Sequence, residues 1–265
     1  MGKSKLYERR FVAFLDILGF RGLVNDPSRH VFFAGFFAAI NKFCDMDLRG
    51  IHLTDLAVTS ISDSIVISVP RRRSSCFHKL TSVVKVLTSM ALKEGILLRG
   101  AIAEGELYHR DNIVFGPALV EAYELQENCA IYPRCIVRPE VLASGLATYR
   151  GKWVQFEYED FRKDADGFYY VDYLPGTFKM CGARGDILRS HDSGDGLCGI
   201  EDVRELIAGA NPSGDRVRAK YEWLRSYYND TVSELGEKQK CDFSKLLLTD
   251  EECGDPAVRF GQSDV

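Results

Sequence analysis

What this chain lacks narrows it first. Its eight cysteines, at positions 44, 76, 129, 135, 181, 198, 241 and 253, contain no C-x-x-C pair, so neither a zinc ribbon nor a disulfide framework is encoded, and the expectation is reduced thiols in a cytoplasmic protein. The longest apolar run, Val31 to Ile40, covers ten residues, half of the roughly 20 that span a bilayer. It reads as a buried helix, with no direct membrane insertion. The opening MGKSKLYERR has no apolar core of a signal peptide, which leaves the sequon at Asn229 without a glycosylating compartment. Five histidines show no H-E-x-x-H spacing and no G-x-S-x-G elbow occurs, so zinc hydrolysis and serine chemistry lack their signatures. Charge of either sign is not in excess: 34 basic against 38 acidic residues give a net charge of −4. Long nucleic acid is excluded as a partner on that balance.

Two stretches carry the chemistry that is present. Phe11 to Phe20 (FVAFLDILGF) and Thr59 to Val69 (TSISDSIVISV) are apolar strands, each interrupted by one aspartate, Asp16 and Asp63. A carboxylate is costly to desolvate alone, so two of them in apolar strands point to a shared divalent cation. The bland alternative for each is a strand-end aspartate that caps a turn. With two Mg²⁺ or Mn²⁺ ions bound, the pair would serve in-line phosphoryl displacement. The turn Ile17, Leu18, Gly19 and Phe20 would then offer backbone amides to a triphosphate, Gly19 permitting close approach.

The pattern along the chain predicts a strand over 10–16, a helix over about 28–44, and a hairpin of 51–60 with 64–69 turning at Ser62-Asp63. A second helix over 76–93 follows, with Phe77, Leu80, Val83, Val84, Leu87 and Met90 at helical spacing. A strand over 96–104, a short strand over 112–115, and a helix from Gly116-Pro117 to about Glu127 come next. The order β-α-β-β-α-β is that of a ferredoxin-like α+β fold, an antiparallel sheet with two helices on one face, carrying extra strands and C-terminal helices. That topology makes Asp16 and Asp63 neighbours. Residues 1–175 form the catalytic domain in this reading. Residues 176–265 form a glycine-rich loop, a helical extension packed on the core over about 201–210 and 215–235, and an acidic tail. Val217, Tyr221, Leu224 and Tyr228 line one face of the last helix, for packing or for a dimer contact.

Arg99 stands in an apolar strand, where a guanidinium needs an anion: either an ion pair with Glu104 or Glu106, or a nucleotide. Arg71, Arg72 and Arg73 read as a solvated turn. The G-x-G-x-x-G at 194–199 lacks the strand and helix of a dinucleotide site and reads as a loop.

These residues resemble a known family. Phe14 to Phe20 (FLDILGF) is similar to the first metal motif of the class III nucleotidyl cyclases, and Ser60 to Asp63 to their second. Arg99 to Glu106 (RGAIAEGE), followed by Phe115 to Leu125 (FGPALVEAYEL), resembles the pyrimidine cyclases of bacterial Pycsar anti-phage systems. The resemblance implies conversion of UTP or CTP to a 3′,5′-cyclic monophosphate and pyrophosphate, with two Mn²⁺ or Mg²⁺ ions held by Asp16, Asp63 and the Ile17 carbonyl. It implies a homodimer with sites at the interface, and a cyclic product that acts on a separate effector protein. Where purine cyclases carry a base-reading lysine and aspartate, this chain has Thr59 and Ile113; Thr59 and His52 are the base-pocket candidates. Where the family's transition-state asparagine and arginine stand, this chain has Val120 and Glu124, so Arg99 becomes the substitute. A purine cyclase and a non-catalytic dimeric sensor of the same fold are the rival readings.

Overall fold

The computed structural model describes residues 6–43, 56–72, 76–148, 160–175, 199–240, 242–249 and 252–253. Two compact units divide it, Met1–Tyr173 and Leu174–Val265.

In the first unit the chain runs β1 (Glu8–Ile17), α1 (Phe20–Val24), α2 (His30–Phe43), β2 (Ala57–Ile61), β3 (Ser64–Pro70), α3 (Cys76–Lys93) and β4 (Leu98–Arg110). It continues with β5 (Ile113–Phe115), α4 (Pro117–Cys129), β6 (Cys135–Val137), α5 (Pro139–Ala147), β7 (Phe161–Lys163) and β8 (Tyr169–Val171). The strand order is β2-β3-β1-β4-β6-β8-β7, with β5 paired to β4. β1 lies between β3 and β4, antiparallel to both, and β2 pairs antiparallel with β3. The segment from β1 to β4, with α2 and α3 as its crossovers, is therefore the ferredoxin-like β-α-β-β-α-β unit.

Alternation along β1 builds two cores. Phe11, Ala13, Leu15 and Ile17 face Phe33, Phe36 and Ile40 of α2 together with Leu80, Val83, Val84 and Leu87 of α3. Each large aliphatic side chain so buried contributes about 1.5–3 kcal/mol, which makes this face the main support of the sheet. Val12 turns the other way and packs with Val66, Ala103 and Leu107 beneath Ala118 and Ala122 of α4. The close approach of α4 depends on small residues. Gly116, at its entry, holds φ +144°, and a Cβ there would meet the Glu106 carbonyl oxygen at 2.7 Å.

Several expectations need correction. The sheet is not wholly antiparallel, because β6 joins β4 in parallel. Helices cover both faces, with α5 adding Val141, Leu142 and Leu146 to the larger core. The α2 helix is buried along one side only: Val31 is 84% exposed, because an edge helix on a single sheet has just one apolar partner surface. β4 runs six residues past Glu104, to Arg110.

In the second unit α6 (Ile200–Ala208) and α7 (Asp215–Gln239) pack together. Leu224 and Tyr228 of α7 are buried and Tyr221 half-buried, whereas Val217 is exposed near the helix start, so the packing face begins a turn later than its periodicity indicated. The Asn229 side-chain amide closes a reciprocal pair with the backbone of Leu248, at 3.0 and 2.9 Å. That accounts for the sequon asparagine as a structural residue. Most of the glycine-rich loop, including 194–198, and the acidic tail beyond Cys253 lie outside the described residues. Among the described residues, no helix is long and apolar enough to cross a membrane.

Candidate active site

Asp16 is the penultimate residue of β1, and the sheet register places it opposite Ser64 on one side and Arg99 on the other. The β2–β3 connection has two residues, Ser62 and Asp63, with Ser62 at φ 57°. This tight hairpin turn matches the strand twist and lifts Asp63 to the sheet end where Asp16 emerges. The Ile17 amide donates to the Asp63 carbonyl at 3.0 Å, which ties the two segments together. The two aspartates meet as the topology predicts.

Their electrostatics follow from that proximity. The Asp16 carboxyl is pushed above the usual carboxylate range, first by burial; the Arg99 guanidinium opposes this, while the nearby charges of Asp63 and Glu127 add to it. Arg99 Nε donates to Asp16 Oδ2 at 2.9 Å and Nη2 to Glu127 Oε2 at 3.2 Å. The expected partners Glu104 and Glu106 are thus replaced by Asp16 and Glu127. Arg99 shares a sheet face with Asp16, whereas Glu104 lies on the opposite parity of β4 and pairs with Arg9 and Arg71 at 2.6 and 2.7 Å. Arg72 pairs with Glu8. Arg71 and Arg72 are therefore ion-paired rather than merely solvated, and Arg73 lies outside the described residues.

Of the proposed amide cradle, Ile17 and Leu18 are already committed: their N–H groups donate to Asp63 O and Leu97 O at 3.0 and 2.9 Å. Gly19, at φ 74°, and Phe20, the first residue of α1, show no acceptor for their amides among the described residues. Hard carboxylate oxygens suit Mg²⁺ or Mn²⁺ in chemical type, and two carboxylates with mutually unfavourable charge gain from a shared cation. In that sense the residues fit. Among the described residues, however, no cluster of three or more His, Cys, Asp or Glu side chains forms a complete cage. Any metal here would complete its shell with backbone, water or substrate oxygens.

Further along the same face, away from Asp16 by two residues in the register, Thr59 is buried, and its Oγ1 lies 2.9 Å from Nε2 of His109. His109 Nδ1 lies 2.8 Å from Ser68 Oγ, which accepts from Arg10 Nε at 2.9 Å. Burial, and secondarily the Arg10 charge, lower the His109 pKa to about 4. Sequence reasoning missed His109, Ser68 and Arg10. The available signal was parity, since His109 and Arg99 occupy the same side of β4, as Arg10 and Asp16 do on β1. Thr59 also lines an open groove of about 510 Å³ with Phe37, Val58, Ser60, Ile61, Ser62 and Asn112. Asn112, in the turn between β4 and β5, joins the β2 residues in lining it. His52 lies outside the described residues. Val120 is exposed on α4, as is Glu124, so neither projects into the sheet face that holds Asp16.

No family model matches the chain, and no curated protein matches it. Among solved structures it is similar to one described as that of a bacterial light-regulated adenylyl cyclase, at 14% identity and a TM-score of 0.41, over 65% of this chain and 54% of that one. The chain thus spans about half the length of that protein. The ferredoxin-like assignment rests on strand order and register, which the chain displays by itself.

Proposed function

We propose that this chain is a nucleotidyl cyclase that converts a pyrimidine nucleoside triphosphate, UTP or CTP, to its 3′,5′-cyclic monophosphate and pyrophosphate. The observation that carries the proposal is the meeting of Asp16 and Asp63 at one sheet end, close enough that the Asp63 charge acts on Asp16. In such a reaction the ribose 3′-oxygen forms a bond to the α-phosphorus, the α–β bridging P–O bond breaks to release pyrophosphate, and the 3′-hydroxyl proton passes to solvent water. Two divalent cations, when bound, would lower the pKa of that hydroxyl and neutralise phosphoryl charge. Asp16 and Asp63, with the Ile17 carbonyl, are the residues that would hold them.

The protein's own part is positioning and charge. Arg99 counters the burial that raises the Asp16 pKa and would supply a fixed guanidinium where phosphoryl charge builds up. Its planar fork reaches Asp16 and Glu127 together, so a triphosphate could take the place of Glu127 without releasing Asp16. The Gly19 and Phe20 amides would face phosphate oxygens. A homodimer with sites at its interface belongs to the same proposal. The exposed apolar side chains Ile113 and Phe115 of β5, and Val120 and Tyr123 of α4, support it. So does release of a cyclic product to a separate effector in anti-phage signalling, on the motifs of residues 99–106 and 115–125.

The test is incubation of the purified protein with each of the four nucleoside triphosphates and Mn²⁺, with the products resolved by chromatography. Cyclic UMP or cyclic CMP as the main product is expected. Cyclic AMP or cyclic GMP would replace the pyrimidine reading with a purine one, and no cyclic product from any nucleotide would leave the sensor reading.

A further inference from the structure

The chain of hydrogen bonds behind Thr59 has a direction. Arg10 is always protonated and can only donate, so Ser68 Oγ must accept from its Nε. Ser68 is fully buried, and a buried hydroxyl proton requires an acceptor. Among the described residues, the one acceptor facing Ser68 Oγ is His109 Nδ1, at 2.8 Å. His109 is therefore the tautomer with its proton on Nε2, and that N–H donates to Thr59 Oγ1 at 2.9 Å. The tautomer follows from the network, hydrogens not being located. A threonine hydroxyl that has accepted from His109 still holds its own proton. That proton has the groove beside Thr59 as its outlet.

We propose that the relay Arg10, Ser68, His109 and Thr59 presents the Thr59 hydroxyl to the groove as a hydrogen-bond donor, and so selects a base that carries a keto oxygen rather than an amino group at pyrimidine C4, or at the equivalent purine C6. This rests on the cyclase reading and deepens it. Uracil carries an O4 acceptor where cytosine carries an N4 amino donor, and guanine O6 contrasts with adenine N6 in the same way. A threonine alone serves either class, because its hydroxyl donates and accepts; the relay takes up one of its lone pairs, so in a filled groove its proton finds an acceptor in a keto oxygen, whereas an amino group would leave that proton unpaired. UTP is thus favoured over CTP. Thr59 touches the base, and His109 acts through it as a positioning residue. Burial keeps His109 neutral, which preserves Nδ1 as the acceptor that the relay needs.

The test measures equilibrium binding of 3′-deoxy-UTP and 3′-deoxy-CTP, which lack the attacking hydroxyl and cannot cyclise. The wild-type protein is expected to prefer the uracil nucleotide by roughly tenfold, the worth of one hydrogen bond gained against one donor clash. Thr59→Val, which keeps the shape and removes the hydroxyl, is expected to bring the two within about threefold, by weakening the uracil nucleotide and relieving the donor clash of the cytosine one. Thr59→Ser restores the preference. His109→Gln, whose amide can accept from Ser68 and donate to Thr59, retains it, whereas His109→Phe narrows it; a merely structural histidine would move both affinities together. A wild-type preference for cytosine, or a Thr59→Val protein that keeps the wild-type ratio, overturns the inference while leaving the cyclase reading intact. Failure of both nucleotides to bind overturns the two together.

Discussion

The two ends of one sheet face treat polar side chains in opposite ways. At the Thr59 end, Arg10, Ser68, His109 and Thr59 are each at most 7% exposed, and each hydrogen-bonds the next. At the Asp16 end, Arg99 pairs with Asp16 and Glu127 while the Asp63 charge also acts on Asp16, and burial with like charge works against the ionised form of Asp16. Both arrangements desolvate polar groups, but only the first compensates them internally. A fold that leaves like charges crowded in a partly buried place spends stability there, and such places concentrate function. The difference separates a site built to bind from a network built to hold a side chain in one hydrogen-bonding sense.

The comparison breaks most visibly at the carboxylates. Asp16→Asn and Asp63→Asn are each expected to lower turnover by at least about a hundredfold, in line with loss of a charge-stabilising group from a catalytic centre. Thermal melts of both variants should stay at or above the wild-type midpoint, since each removes repulsion; a clear drop in melting temperature would mean the aspartates support the fold instead. Next in size is Arg99→Ala, for which kcat/KM should fall at least tenfold, roughly the worth of one charged contact. The same change removes the main influence that lowers the Asp16 pKa, so the acid limb of the rate profile should move to higher pH. A profile that stays in place would separate Arg99 from Asp16.

The smallest effect sharpens the other end. His109 titrates near 4 in the fold and near 6.5 when unfolded, so between those values the unfolded chain binds more protons, and stability falls as pH drops through that window. Denaturant melts at pH 7 and pH 4.5 should show this loss in the wild type, and a reduced loss in His109→Gln.

Much of the scaffold was legible because its periods were long. The eighteen residues of α3 match their expected bounds, and the two-residue turn at Ser62-Asp63 stands where alternation on both sides placed it. The three-residue strands β6, β7 and β8 were not all legible, since three residues cannot display alternation. At the site, Asp16 and Asp63 could be paired from topology alone. The link from Arg99 to Asp16 could not, because it depends on the β1–β4 register across 83 positions. His109 was hidden in part for the same reason: parity put it on the right side of β4, but Thr59 and Ser68 are 50 and 41 residues away, and only the fold brings them together.

The central claim is that Asp16 and Asp63 act as one divalent-cation site for phosphoryl transfer. Its most direct test is a Mn²⁺ titration of nucleotide turnover by the wild type and by Asp63→Asn, each freed of metal with EDTA beforehand. The account predicts wild-type activity that is absent without metal, rises to saturation with Mn²⁺, and is not recovered in the variant at any concentration. Turnover that persists in EDTA, or a variant that matches the wild-type curve, would contradict it.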